Sequence, residues 1–226
     1  KDCRAFAPST GVKTVFISKD AAELDGLVSF LNLRAKIHCQ SLIEFQAVPF
    51  DCPKDFDVIF FSSIRCAQFL EASKHIDFNA YSLGCGGSQT ALRLAEKGYE
   101  LSFYGENGSM PDVVSKEFSH WLGDRKVFIP RSNRSLRSIE AHIPEDQVQS
   151  VVVYQTLLAP SKIKTADIMV FSSPSNVHAY FSENTLLDSA LLISWGSSTS
   201  AVLKDYGFVP DCVLKEGSIS ELQELL

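Results

Sequence analysis

A segment that occurs twice constrains this chain more than any other feature of its 226 residues. Residues 57–63 read DVIFFSS and residues 167–173 read DIMVFSS, an offset of 110. Residues 87–98 read GSQTALRLAEKG and residues 196–207 read GSSTSAVLKDYG, an offset of 109, with Gly, Ser, Thr, Leu and Gly in common. Two separate blocks that keep one register to within a residue point to a duplicated unit, and a fixed internal offset takes precedence over any local pattern.

Each block has a local meaning. An Asp, an apolar run and Ser-Ser ahead of a helical pattern describe a buried parallel strand that runs into a helix. Pro174 suits a first helical turn, where its missing N–H costs nothing. Gly-Ser-x-Thr opens the second helix of each copy, and Gly98 and Gly207 stand where a left-handed helix end is expected. Further strand–helix pairs are expected at 14–18 with 21–33, at 101–104 with 111–122, at 127–129 with 135–142, and at 209–214 with 218–226. Strands alternating with helices mean an α/β protein with parallel sheets, here in two similar lobes. Residues 42–48 and 150–158 break the alternation, because neither has a helix of its own. They bracket one full copy of the repeat, so they are expected to pair as a two-stranded β ladder. The division is then lobe one over 1–34 and 161–226, the connector over 35–51 and 148–160, and lobe two over 52–147.

Composition removes several classes of function. Hydrophobic residues make up 45% and charged residues 21%, ordinary globular values. A net charge of −6 argues against a nucleic-acid binder. No apolar run approaches the roughly 20 residues of a membrane helix, and the first residues lack the apolar core of a secretory signal. A cytoplasmic protein is therefore expected. Its six cysteines (Cys3, Cys39, Cys52, Cys66, Cys85, Cys212) form no C-x-x-C and lie at no metal-ligand spacing from a histidine. They read as reduced thiols packed as small apolar groups. There is no phosphate loop, no G-x-G-x-x-G and no G-x-S-x-G, so neither nucleotide binding nor a hydrolase triad is supported.

Candidate ligand groups lie at the carboxyl ends of the expected strands, where open α/β sheets bind ligands. They are Ser62 and Ser63; Gly87, Ser88, Gln89 and Thr90; Ser172, Ser173 and Ser175; and Gly196, Ser197, Ser198 and Thr199. Helix N-termini offer free N–H groups and the positive end of a dipole, and small residues let an anion approach. Plain helix capping is the alternative for any single turn. Arg131, Arg134 and Arg137, at i, i+3 and i+6 near an expected helix start, add guanidinium groups for a polyanion; a solvated basic face is their alternative. Tyr154, in VVVYQT, is a strand residue whose phenol is able to donate a proton, and a half-buried strand aromatic is its plain alternative.

Taken together, D-x-x-x-F-S-S opening a helix twice, VYQT, FSSPSNV and GSST resemble the uroporphyrinogen-III synthase family over nearly the whole chain. That family closes the linear tetrapyrrole hydroxymethylbilane to uroporphyrinogen III, losing water and inverting the last ring, with no metal or organic cofactor. The resemblance implies two flavodoxin-like α/β lobes, a two-stranded ladder and an active cleft between the lobes. It also implies a substrate with eight carboxylates and a protein expected to act as a monomer. It places the family's important tyrosine on Tyr154 and its Gly-x-x-Thr on Gly196 to Thr199, so Tyr154, Thr199 and Ser198 are the catalytic candidates. The other turn residues and Arg131 become substrate-binding candidates. One departure is Ser18-Lys19, where many relatives carry an Arg after the first strand; a Lys meets a carboxylate without the bidentate geometry. A two-lobe protein that binds an anionic small molecule without chemistry is the competing reading.

Overall fold

The computed structural model describes residues 13–24, 26–31, 35–106, 110–215 and 217–226. Their strands are β1 (Lys13–Ile17), β2 (Ala35–Cys39), β3 (Ile43–Ala47), β4 (Val58–Phe61), β5 (Ser82–Cys85), β6 (Phe103–Tyr104), β7 (Val127–Ser132), β8 (Val148–Leu158), β9 (Ile168–Phe171), β10 (Leu191–Ser194) and β11 (Cys212–Val213). The α-helices are α1 (Leu27–Leu31), α2 (Ile64–Ser73), α3 (Ser88–Glu96), α4 (Pro111–Leu122), α5 (Pro174–Glu183), α6 (Ser197–Asp205) and α7 (Ile219–Leu225). None of these helices is long and apolar enough to cross a membrane.

The chain divides into two compact units, residues 1–44 with 157–226 and residues 45–156. Unit 1 holds a five-stranded sheet of order β2-β1-β9-β10-β11, parallel throughout. Counted along the chain within the unit, that order is 2-1-3-4-5, the flavodoxin order. Unit 2 holds the order β8-β7-β4-β5-β6, again parallel, with β3 added beyond β8. Counted in the same direction without β3, that order is 5-4-1-2-3. The two are the same sheet entered at different strands: β4, β5 and β6 match β9, β10 and β11, and β7 and β8 match β1 and β2. The duplication is thus nested. One copy is continuous, and the other is split around it.

The repeated residues explain the repeated structure. The four residues of β4 are fully buried and those of β9 are at most 4% exposed, as central parallel strands covered on both faces must be. The Asp before each is structural. Asp57 accepts the Lys126 N–H at 2.9 Å and Asp167 accepts the Thr14 N–H at 2.7 Å, so each carboxylate pins the start of the neighbouring strand. Gly98 and Gly207 take φ of +87° and +88° after α3 and α6. There the Tyr99 N–H reaches Leu94 O and the Phe208 N–H reaches Leu203 O, which closes both helix ends alike. Helices cover both faces of each sheet. In unit 2, Ile59, Phe61 and Leu83 pack with α2 and α3, and Val58 and Phe60 pack with α4.

Several sequence expectations are corrected. Residues 35–39, given to the connector, form β2 on an edge of unit 1's sheet; their alternating exposure is that of a half-covered strand. The expected helix at 21–33 is a 3-10 turn at Ala21–Glu23 followed by α1, because Gly26 takes a φ of +82° between them; residues 25 and 32–34 lie outside the described residues. The expected helix at 135–142 is only a 3-10 turn at Ser138–Glu140. Arg137 takes a left-handed φ of 56°, and its N–H is drawn to the Ser135 hydroxyl at 3.2 Å, a side-chain bond that competes with helix formation. The strands β3 and β8 pair antiparallel: the Val48 N–H reaches Val153 O and the Ala159 N–H reaches Leu42 O. Cys39, Cys52, Cys66 and Cys85 are free thiols. Cys3 lies outside the described residues.

Candidate active site

In a parallel sheet, strand order reverses at a crevice, and ligands settle at the carboxyl ends of the strands that flank it. In unit 2 the flanking strands are β4 and β7. The chain leaves β4 through Ser62 and Ser63 and leaves β7 through Ser132, and Tyr154 of β8 comes to the same place. A β-bulge brings it there: Arg131 pairs with Val152, but Ser132 pairs with Tyr154, so Val153 is an extra residue in β8. Bulges of this kind re-aim a side chain at the end of a ladder. The shifted register is pinned on both sides. The Asn133 N–H reaches Tyr154 O at 3.2 Å, and the Thr156 N–H reaches Asn133 Oδ1 at 2.9 Å.

Tyr154 is 7% exposed, more buried than a half-covered strand position. Phe69 stacks on its ring at 4.8 Å and 10°, and Phe45 meets it edge-on at 6.0 Å. The Arg65 guanidinium lies 3.4 Å from the centre of the Phe45 ring. Burial, and then the neighbouring Cys66 thiol, push the Tyr154 pKa up to about 12, against the Ser63 and Ser132 hydroxyls beside the phenol and the Arg65 charge, all of which favour the ionised form. Tyr154 is therefore protonated throughout the neutral range, as a proton donor must be. Ser63 precedes α2 without capping it. Its hydroxyl turns to Tyr154 and to Cys66 Sγ at 3.4 Å.

The equivalent corner of unit 1 is built from β1 and β9. Ser18 is fully buried, and its Oγ accepts the Ser172 N–H at 2.8 Å. Ser172 Oγ donates to Ser18 O at 2.5 Å. Asn176 stands where unit 2 has Cys66; its side chain donates to Ser173 at 2.9 Å and accepts the Leu42 N–H at 2.7 Å. Ser173 caps α5 by accepting the Asn176 N–H at 3.3 Å. So the matched serines differ: Ser173 serves its helix, and Ser63 serves a tyrosine. Lys19, next to Ser18, is held by Glu23 at 3.0 Å and sits 5.9 Å from the Trp195 ring.

The remaining expected residues fall as follows. Gly87 and Gly196 are extended residues immediately before α3 and α6. Ser88, Gln89, Ser197 and Ser198 lie in first turns with accessible side chains, while Thr90 and Ser175 are half-buried there. Thr199 is only 2% exposed, so its side chain belongs to the packing of α6, and Ser198 is the accessible neighbour. The arginine series does not present free guanidinium groups. Arg131 donates to Ser150 Oγ at 3.0 Å and to Ser132 O, Arg134 donates to Thr156 O, and Arg137 grips Glu140 at 2.7 and 2.5 Å. Sequence reasoning missed Ser132, Asn176 and the Phe45–Phe69 brace. Asn176 was legible from its place three residues after Ser173. Ser132 carries no local signal, because only the bulge sets it opposite Tyr154.

A family model described as HEM4, uroporphyrinogen-III synthase HemD, matches residues 15–224. Among solved structures, the chain is similar to uroporphyrinogen-III synthetase from Helicobacter pylori, with 20% identity over 95% of this chain and 98% of that chain and a TM-score of 0.68. It is also similar to a mutant uroporphyrinogen III synthase from the extremely thermophilic bacterium Thermus thermophilus, with 15% identity over 94% and 96% and a TM-score of 0.56. At such identities the likeness is one of fold. No curated protein sequence matches the chain.

Proposed function

This chain belongs to the uroporphyrinogen-III synthase family, the cyclising lyases of tetrapyrrole biosynthesis, and we propose that Tyr154 is the proton donor of its reaction. The observation that supports this is the placement of one buried, protonated phenol, braced by Phe45 and Phe69 and near the Ser63 and Ser132 hydroxyls, beside the strand-order reversal of unit 2. Hydroxymethylbilane carries its leaving hydroxyl on a carbon next to an electron-rich pyrrole. The pyrrole nitrogen supplies the electron pair, the C–O bond breaks, and the Tyr154 proton goes to the oxygen, which leaves as water. Ser63 and Ser132 then donate to the phenolate as its charge develops. The methylene left by the departing water is then attacked by the substituted α-carbon of the last ring to give a spiro intermediate; that carbon's bond to the neighbouring methylene breaks and re-forms at the ring's other α-carbon, which inverts the ring, and the proton lost from this carbon as aromaticity returns goes back to Tyr154.

The carboxylates of the substrate are met by small residues and free N–H groups at the starts of α2, α3, α5 and α6: Ser62, Gly87, Ser88, Gln89 and Thr90 in unit 2, and Ser172, Ser175, Gly196, Ser197 and Ser198 in unit 1. Arg131 acts indirectly, by fixing the Ser132 end of β7. Holding a flexible chain curled removes entropy from the closure step, an effect worth up to roughly 7–11 kcal/mol in well-oriented cases. The same reading makes the protein a cytoplasmic monomer that engages neither nucleic acid nor membrane. Tyr154→Phe tests the proposal. It is expected to cut type III product formation by roughly 10²–10⁴, the usual contribution of a general acid, with the fold retained. Wild-type turnover in that variant would remove Tyr154 from the mechanism.

A further inference from the structure

Ser62 and Ser63 leave the same strand end, with their hydroxyls 3.6 and 3.4 Å from Cys66 Sγ, and Ser63 is the one that acts on Tyr154. Ser62 instead lines a cavity of about 170 Å³ on the α4 side of unit 2's sheet. Its floor is Phe60, Val114, Ile129 and Ile139, all at most 8% exposed. Gly86 lines its rim, and Arg137, Ser138 and Glu140 line it from the loop after β7.

The size selects the occupant. An apolar cavity of about 150 Å³ accepts one benzene ring, whereas pockets that enclose a whole drug-sized ligand run to roughly 300–1,000 Å³. A tetrapyrrole does not fit; one of its rings does. The lining agrees: apolar on the floor for a ring face, with the Ser62 hydroxyl at the edge able to accept from a ring N–H.

Two further observations point the same way. Leu136 lines the cavity and is 87% exposed, an apolar side chain at the mouth with nothing apolar covering it. The wall beside it is held in place without a ligand: Ser115 Oγ donates to Ile139 O at 2.9 Å, and Ser150 Oγ donates to Glu140 Oε1 at 2.8 Å. Arg137 is paired with Glu140, yet its side chain remains 58% exposed and a guanidinium has five N–H donors, so it can also meet a carboxylate outside the mouth.

We propose that this cavity is the seat for a single pyrrole ring of the substrate, with the ring against Phe60, Val114, Ile129 and Ile139, its N–H on Ser62, and its carboxylate arms leaving past Leu136 and Arg137. The proposal rests on the synthase reading and deepens it; Ser62 of the seat and Ser63 beside Tyr154 are consecutive residues at the end of β4.

The test uses the full chain and a monopyrrole carrying one acetate and one propionate arm. Methyl NMR is expected to show saturable shifts confined to Val114, Ile129, Leu136 and Ile139. Leu136→Asp, at a site too exposed to unfold the protein, is expected to raise the KM for hydroxymethylbilane roughly tenfold or more. Ile139→Trp, which fills the cavity, is expected to abolish the monopyrrole shifts. Absence of shifts at those methyls, or an unchanged KM in Leu136→Asp while the wild type still makes the type III isomer, would overturn the ring seat and leave the synthase reading intact. A wild type that makes only the type I isomer would instead overturn the synthase reading, and with it the identity of the ring.

Discussion

Replacing Ser132 by Ala probes the least obvious feature of the site, the bulge that sets this serine against Tyr154. The variant removes one of the two hydroxyls on the phenol and leaves Ser63 in place. One net hydrogen bond is worth about 0.5–1.5 kcal/mol, and each kcal/mol lowers the melting temperature of a chain this long by about 2–4 °C. The fold should therefore survive with a shift of a few degrees. The catalytic effect comes through acidity. A hydrogen bond that favours the phenolate by about 1.4 kcal/mol moves the phenol by about one pKa unit. With roughly half the charge developed in the transition state, kcat should fall about threefold. Ser132→Thr keeps the hydroxyl and should recover most of the rate. The decisive arm is the double variant, because coupled residues are non-additive. In the Tyr154→Phe background, Ser132→Ala should lower kcat no further. Equal losses in both backgrounds, or no loss in either, would refute the claim that Ser132 acts through Tyr154.

Two other outcomes follow from the packing around Gly105 and Tyr154. A Cβ added at Gly105 would lie 2.6 Å from Val114 Cγ1 and 3.1 Å from Gly86 O; Gly105→Ala should cost about 1–3 kcal/mol in denaturant unfolding, as overpacking does, and Val114→Ala should restore part of it. Tyr154 has its pKa raised from 10.0 to about 12, so its neutral form is favoured by folding. The stability it contributes is fully present below pH 10.0 and is lost as pH rises through about 12; alkaline unfolding should therefore be steeper in the wild type than in Tyr154→Phe.

Much of the fold is written in the repeat. The apolar runs at β4 and β9, the glycines ending α3 and α6 and the Ser-x-Thr helix starts are local signals, and local physics realises them. What stayed hidden is relational. The nested order of the two sheets follows from strand pairing, which no single segment encodes. Residues 35–39 alternate too briefly to announce an edge strand. Arg137 spoils a helix through its left-handed backbone, which its sequence neighbours do not require. In the site, Tyr154 stood out as a strand aromatic beside a polar run, but its burial and its serine partners depend on one extra residue in β8. The three arginines looked like a basic face because sequence shows spacing, whereas the acceptors that occupy them, Ser150, Thr156 O and Glu140, come from contacts made after folding.

The central claim is that the chain closes hydroxymethylbilane with inversion of its last ring. Supplying hydroxymethylbilane to the purified protein, oxidising the products and separating the porphyrin isomers reads that claim directly. The type III isomer is expected in excess over spontaneous closure. Type I isomer alone, the product of uncatalysed closure, would contradict it and leave a protein that binds its ligand without turning it over.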